Sequence, residues 1–478
     1  VEPTEEQAAI LQGVAMTGDN IQVRSFAGTG KTTMLRMIDS VLPPGPVIYL
    51  AFSRDVVKEM EEGQKNGTGF RTTTTPRTLN SLGHRVWAKT VSSITLDTKK
   101  TSTLFRECLE DRPKDYQTEA WDVYSEVSTA VGMAKALGYI PEGKFTHVRP
   151  LCDQDTLVSR LDEQPSDLVL ELLDDVLTLS IKAAYKGFID YNDQVYMPAV
   201  FGGTFPQYPT VLIDEEQDLN PVNHRMLDKL AKGRLIGCGD PFQSIYGFRG
   251  AVQSGMEKLK EKFSMTEYDL SVSFRCPRAI VENARWRVPH YKWIKEGGLV
   301  SQLPRLDGSD IPEYAAVICR NNAPLFRLAF DLISHGRSVS VAGSDIGPKL
   351  IATLKRLGDD DLPRSSVLTE IDLWLESKLR KGSITANDMA EAMRVFAGYG
   401  ETLGQAISYA EYLFEQQGAI KLLTGHKSKG LEFDTVYFLD PQLIKNDTEQ
   451  ELNLRYVIQT RAKDKLYEIN SADIIWSD

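Results

Sequence analysis

The sequence predicts an α/β fold with parallel sheets and helical insertions, on three observations. A strand, a small-residue turn and a helix run from Ile21 to Val41. A second apolar strand, Val211-Leu212-Ile213, delivers the carboxylates Asp214 and Glu215 to its end. Strands and helices alternate again beyond Ala315 and continue to Ile469, which calls for a second sheet. Short apolar strands alternating with amphipathic helices are the pattern of a sheet covered on both faces.

At 478 residues the chain exceeds one ordinary core, so two to four domains are expected. Hydrophobic content of 42% with 25% charged residues is that of a soluble globular protein. A net charge of −11 does not advertise a nucleic-acid binder, yet a local basic groove suffices for one. The five cysteines are scattered without a C-x-x-C, which points to a reducing compartment and away from a disulfide frame. No apolar run is long enough to span a bilayer, so no membrane partner is expected. The acidic opening is not a signal peptide, and Val1 in place of methionine suggests a trimmed or processed start. A cytoplasmic location is expected, with nucleoid or nucleus compatible.

Phe26-Ala27-Gly28-Thr29-Gly30-Lys31-Thr32-Thr33 follows the strand Ile21–Ser25 and opens a helix carrying Leu35, Met37, Ile38 and Val41. This is the phosphate-binding loop pattern, with Ser25 where the strict pattern has its first glycine. The glycines let backbone N–H groups curl around an anion, and the helix N-terminus adds its positive end. Lys31 reaches the β- and γ-phosphates of a nucleotide in such loops, and the Thr32 hydroxyl holds Mg2+.

Upstream, Thr4 and Gln7 form a capping box, and Gln7 is compatible with a capping or a ligand role. Val47–Phe52 is a buried strand, with Phe52 at the end where open α/β sheets bind ligands. A helix begins at about Thr78 and carries Asn80. Residues 91–201 are dominated by helical periodicity without a strong catalytic motif. The pair Asp214 and Glu215 supplies what a phosphate loop requires, one carboxylate for the metal and one to activate water. Another strand, Leu235–Gly239, runs into a glycine-rich loop with Gln243, Tyr246, Phe248 and Arg249. The segment Arg285–Lys295 is basic and aromatic. It suits either stacking on single-stranded nucleic acid or a solvated loop anchored by its tryptophans.

Taken in order from Gln7 to Arg461, these stretches resemble the superfamily 1 DNA helicases of the UvrD, Rep and PcrA type. The F-box DNA helicase branch is a close cousin around Gly239-Asp240-Pro241 and Phe248-Arg249-Gly250-Ala251. His426-Lys427-Ser428-Lys429-Gly430-Leu431-Glu432 is equally telling. The resemblance implies two RecA-like motor lobes with ATP between them and single-stranded DNA across their tops. Residues 1–90 and 202–265 form the first lobe, interrupted by a helical insertion at 91–201. Residues 266–345 and 420–478 form the second, interrupted by a short helical insertion at 346–419.

By the same resemblance, Gln7 reads the adenine edge and Phe274 stacks on the base. Ala27, Gly28, Thr29, Gly30, Lys31, Thr32 and Thr33 bind the phosphates, with Mg2+ held by Thr32 and Asp214. Glu215 activates water, Gln243 senses the γ-phosphate, and Arg275 and Arg461 are arginine fingers. Lys429 and Glu432 complete the nucleotide side. Phe52, Asn80, Tyr246, Phe248 and His426 match positions that contact single-stranded DNA. The implied activity is ATP-driven movement along single-stranded DNA, 3′ to 5′, with unwinding at single-strand/duplex junctions. The alternatives are a translocase that displaces proteins with little unwinding and an ATP-gated DNA clamp. Departures from the family pattern include Glu216, Phe248 for tryptophan, Asn80 for histidine and Gly425 for leucine. The second insertion is too small for a large regulatory arm, so a monomeric motor is expected. Nothing in the sequence identifies a protein partner.

Overall fold

The computed structural model of the chain describes residues 2–247, 250–252, 254–342 and 346–476. It divides into two compact units. One comprises Val1–Ser25 and Gly30–Leu270, the other Phe26–Thr29 and Ser271–Asp478. Among the described residues each unit is built on a six-stranded sheet. No helix there is long and apolar enough to cross a membrane.

In the first unit the strands lie in the order Thr74–Thr78, Val47–Ala51, Thr210–Ile213, Arg234–Gly239, Ile21–Ser25, Thr266–Leu270. Every neighbouring pair is parallel. Strand periodicity sorts the side chains. Ile48, Leu50, Val211, Ile213 and Leu235 enter one core, while Val47, Tyr49, Leu212, Ile236 and Cys238 enter the other. A parallel sheet needs both faces covered, and both are. One face carries the helices Glu5–Met16, Lys31–Val41 and Arg54–Lys65. The opposite face shares a continuous core with Leu104, Phe105, Val127, Leu172, Leu177 and Tyr196, from the helices between Lys100 and Phe201.

All-parallel pairing puts the carboxyl ends of these strands on one edge, where open α/β sheets bind ligands. From that edge issue the turn into Lys31, Phe52, Asp214, Asp240 and the helix bearing Asn80.

The second unit orders its strands Leu299–Gln302, Ala462–Ile469, Phe433–Leu439, Ala316–Cys319, Ile420–Thr424, Val339–Ala342, again all parallel. Helices Asn322–Ser334, Ala386–Tyr399 and Leu403–Glu415 bury Phe326, Phe396 and Leu413 with strand residues Val317, Leu422 and Leu439. The sequence reads as a strand over Ser338–Gly343, of which Val339–Ala342 is described and Gly343 lies outside the described residues. It reads as a helix from Glu449 to Arg461, but that helix ends at Gln459, where the Thr460 and Arg461 side chains turn back onto its final carbonyls.

Candidate nucleotide site and nucleic-acid face

The helix Lys31–Val41 begins at Gly30, which is left-handed at φ +85° and provides no side-chain cap. Its first-turn N–H groups suit an anion. The preceding turn, Phe26–Thr29, clusters with the second unit. There the Ala27 N–H donates to the Tyr456 hydroxyl at 2.9 Å, and the Tyr291 hydroxyl donates to the Ala27 carbonyl. Gly28 is left-handed at φ +68°, and a Cβ there would meet the Arg275 Cβ at 2.4 Å, so only glycine fits.

In the first unit Lys31 Nζ pairs with Glu215 Oε1 at 3.3 Å. Burial, the largest single influence on Lys31, pulls its pKa down. The carboxylates of Glu215, Asp240 and Asp214 together outweigh it and hold the ammonium above its ordinary range. Glu215 itself is left-handed at φ 53°, uncommon for a residue with a Cβ and a form of strain that collects at functional sites. Its carboxylate accepts from Gln217 Nε2 at 2.5 Å. Gln217 Oε1 accepts the Asp240 N–H at 2.9 Å, so one amide ties Glu215 to the neighbouring strand end. Asp240 Oδ2 in turn accepts from Gln243 Nε2 at 2.6 Å.

Asp214 is buried. Its Oδ1 accepts the Glu215 N–H at 2.9 Å and its Oδ2 the Tyr49 hydroxyl at 2.7 Å. Burial, then the charge of Glu215, pushes its pKa up to about 6 against the pull of Lys31 and Tyr49. Burial likewise brings Asp240 to about 6, opposed by Lys31 and Gln243. Thr32 and Thr33 are exposed on the first helical turn. The Thr32 hydroxyl and Asp214 carboxylate are hard oxygen donors of the kind Mg2+ takes, and the prior orientation of Asp214 fits that use. Glu216, the departure beside Glu215, turns inward to accept from Gln22 Nε2 at 2.5 Å, and burial pushes its pKa up to about 8.

Gln7 is buried, and its side-chain oxygen accepts the Thr4 N–H at 3.0 Å, which completes the capping box. In the second unit the Phe274 N–H donates to the Gly28 carbonyl at 2.9 Å and the Phe274 ring is exposed. Arg275 pairs with Glu432 at 2.8 Å. Arg461 is sealed from solvent, its guanidinium donating to the carbonyls of Val457 at 2.9 Å and Leu431 at 3.2 Å. Burial and then the nearby Arg275 lower its pKa to about 10, so it stays charged at neutral pH. Lys429 and His426 are half-buried.

On the nucleic-acid side, the Phe52 and Tyr246 rings are parallel within 4°, with centroids 6.3 Å apart, and Phe52 is 49% exposed. Asn80 is exposed, and its amide donates to the Tyr191 carbonyl at 2.8 Å. Phe248 lies outside the described residues. In the Arg285–Lys295 segment, Tyr291 is buried and Trp293 lies under the guanidinium groups of Arg278 and Arg285, at 5.5 and 4.9 Å. The Trp286 indole donates to Gln459 at 2.9 Å. That geometry favours anchoring over base stacking.

Sequence reasoning brought Lys31, Asp214, Glu215 and Gln243 forward but assigned no role to Tyr49, Gln217 or Asp240. Asp240 ends an apolar strand as Asp214 does, which is a usable signal. Nothing local marks Tyr49.

Residues 4–264 match the family model for the UvrD/REP helicase N-terminal domain, and residues 401–472 that for the UvrD-like helicase C-terminal domain. The chain is 22% identical to F-box DNA helicase protein 1 of Schizosaccharomyces pombe over 97% of its length and 57% of that protein. It is 24% identical to F-box DNA helicase 1 of Gallus gallus over 97% of its length and 48% of that protein. With the putative ATP-dependent DNA helicase YjcD of Bacillus subtilis it shares 26% identity over 57% of its length and 37% of that protein. The chain thus spans 37% to 57% of the length of these relatives. With more than half of its residues matched by the N-terminal model alone, the chain belongs to the UvrD/REP helicase family.

Proposed function

We propose that the chain is an ATP-dependent DNA helicase that moves 3′ to 5′ along single-stranded DNA and unwinds duplex at junctions. The observation that carries this reading is the convergence of Lys31, Asp214, Glu215, Asp240 and Gln243 at the strand ends of one sheet. The parallel Phe52 and Tyr246 rings, on the same unit, support the DNA side of it.

In this reading the helix start at Lys31 takes the ATP phosphates, with Ala27, Gly28, Thr29, Gly30 and Thr33 around them. Thr32 and Asp214 hold Mg2+, which when bound neutralises phosphate charge. Glu215 accepts the proton of the attacking water, the task for which a carboxylate at a strand end is suited. Gln243, steadied by Asp240, follows the γ-phosphate. Arg275 and Arg461 stabilise transferred charge, and Gln7, Phe274, Lys429 and Glu432 serve the rest of the nucleotide. Phe52, Asn80, Tyr246, Phe248 and His426 grip the strand. The motor lobes are 1–90 with 202–270 and 271–345 with 420–478, carrying insertions at 91–201 and 346–419; the boundary expected at 265/266 moves because Thr266–Leu270 pairs with Ile21–Ser25 as the edge strand of the first sheet.

ATP hydrolysis and strand separation measured side by side test the reading. DNA-stimulated hydrolysis with unwinding is expected. DNA-stimulated hydrolysis without unwinding indicates a translocase, and DNA binding indifferent to hydrolysis indicates a clamp.

A further inference from the structure

Asp214 is tied to the strand Val47–Ala51 twice. Its N–H donates to the Leu50 carbonyl at 3.1 Å, extending the parallel ladder in which Tyr49 stands opposite Leu212. Its Oδ2 accepts the hydroxyl of Tyr49 at 2.7 Å, while Oδ1 accepts the Glu215 N–H at 2.9 Å. Each carboxylate oxygen thus has one fixed donor, and two fixed donors settle the plane of the group.

Tyr49 is itself enclosed by packing. It is fully buried, and its ring packs edge-on against Phe70 with centroids 4.9 Å apart. A phenylalanine would satisfy that packing. A buried hydroxyl is costly without a hydrogen-bond partner, so what needs explaining is the oxygen, and its partner is the carboxylate. We propose that Tyr49 is a positioning residue for a divalent cation, its hydroxyl holding the Asp214 carboxylate in the orientation that receives the ion. This rests on the reading of Asp214 as a cation ligand. Donors to the ligand, rather than ligands themselves, set how much reorganisation cation binding requires, and removing one typically costs roughly 10–100-fold in metal affinity.

The test is a titration of Mn2+ into the full chain with a non-hydrolysable ATP analogue, followed by electron paramagnetic resonance. Tyr49→Phe is expected to lower Mn2+ affinity roughly 10-fold or more while affinity for the analogue without metal is unchanged. Asp214→Asn should lower Mn2+ affinity at least as far, and Tyr49→Phe added to it should do nothing more. Parental affinity in Tyr49→Phe, with Asp214→Asn impaired, overturns the role of Tyr49 and leaves the cation reading standing. A further loss in the double variant assigns the effect to packing and also overturns it. Parental affinity in Asp214→Asn overturns the cation reading and this inference together.

Discussion

Lys31 Nζ lies 3.3 Å from Glu215 Oε1, joining the first residue of a helix to a left-handed residue at a strand end. If Lys31 takes phosphate and Glu215 is the base, as proposed, phosphate competes with this pairing and releases Glu215 to act on water. Glu215→Gln should therefore bind ATP at least as well as the parent, while kcat falls by about 10²-fold or more because the base is gone. Lys31→Ala should lose ATP binding and turnover together. Equilibrium nucleotide binding beside steady-state hydrolysis separates the two, and normal turnover by Glu215→Gln would remove Glu215 as the base.

Arg275 and Arg461 differ in what holds them. Arg275 pairs with the exposed Glu432, whereas Arg461 is sealed against backbone carbonyls. Both substitutions to alanine should depress kcat, by roughly 10³-fold if each acts as an arginine finger, with a modest change in ATP affinity. Only Arg461→Ala should also lower thermal stability, since it removes a buried side chain and its hydrogen bonds to the Val457 and Leu431 carbonyls. Equal melting temperatures for the two variants would contradict that distinction.

The parallel Phe52 and Tyr246 rings offer π-faces that suit any base, each stack being worth about 1–3 kcal/mol. Phe52→Ala and Phe248→Ala should weaken single-stranded DNA binding and unwinding and leave DNA-free hydrolysis near the parental rate. Residual binding should show little sequence preference and marked salt dependence, measured by fluorescence anisotropy across salt. Parental DNA affinity in Phe52→Ala would refute the stacking role.

His224 should give the first unit a pH-dependent stability. Burial, then Lys262 and Lys258, lower its pKa from 6.5 to about 4 against the pull of Asp228, and its Nε2 is sealed without a partner. The folded state thus binds fewer protons than the unfolded chain between these values. The stability from the neutral ring is complete above pH 6.5 and is lost as pH falls toward 4, at up to about 1.4 kcal/mol per pH unit. Denaturant unfolding of His224→Gln should show a flatter dependence than the parent across that window. An unchanged slope would contradict it.

Much of the site was legible because its chemistry is local. Gly28 to Thr33 carry their own conformational demands, and Asp214 and Glu215 announce themselves by ending an apolar strand. The helical stretch before Phe201 was legible from periodicity, as were the inner strands of both sheets, but the edge strands Thr266–Leu270 and Leu299–Gln302, which lack a continuous apolar run, were not. The rest depends on register. Tyr49 meets Asp214 across 165 residues, and Gln22 meets Glu216 across 194, only because particular strands neighbour one another. Gln217 reaches Asp240 for the same reason. Periodicity says which face a residue occupies, not which strand lies beside it.

A monomeric motor should show unwinding proportional to protein concentration under saturating DNA, and a steep rise with concentration would contradict it. The central claim meets its most direct test in strand separation of duplexes bearing a 3′ or a 5′ single-stranded tail, with ATP and Mg2+, for the parent and Glu215→Gln. The account predicts that the parent unwinds the 3′-tailed duplex in preference and that Glu215→Gln unwinds neither. No unwinding of either duplex by a parent that hydrolyses ATP, or equal unwinding by Glu215→Gln, would contradict it.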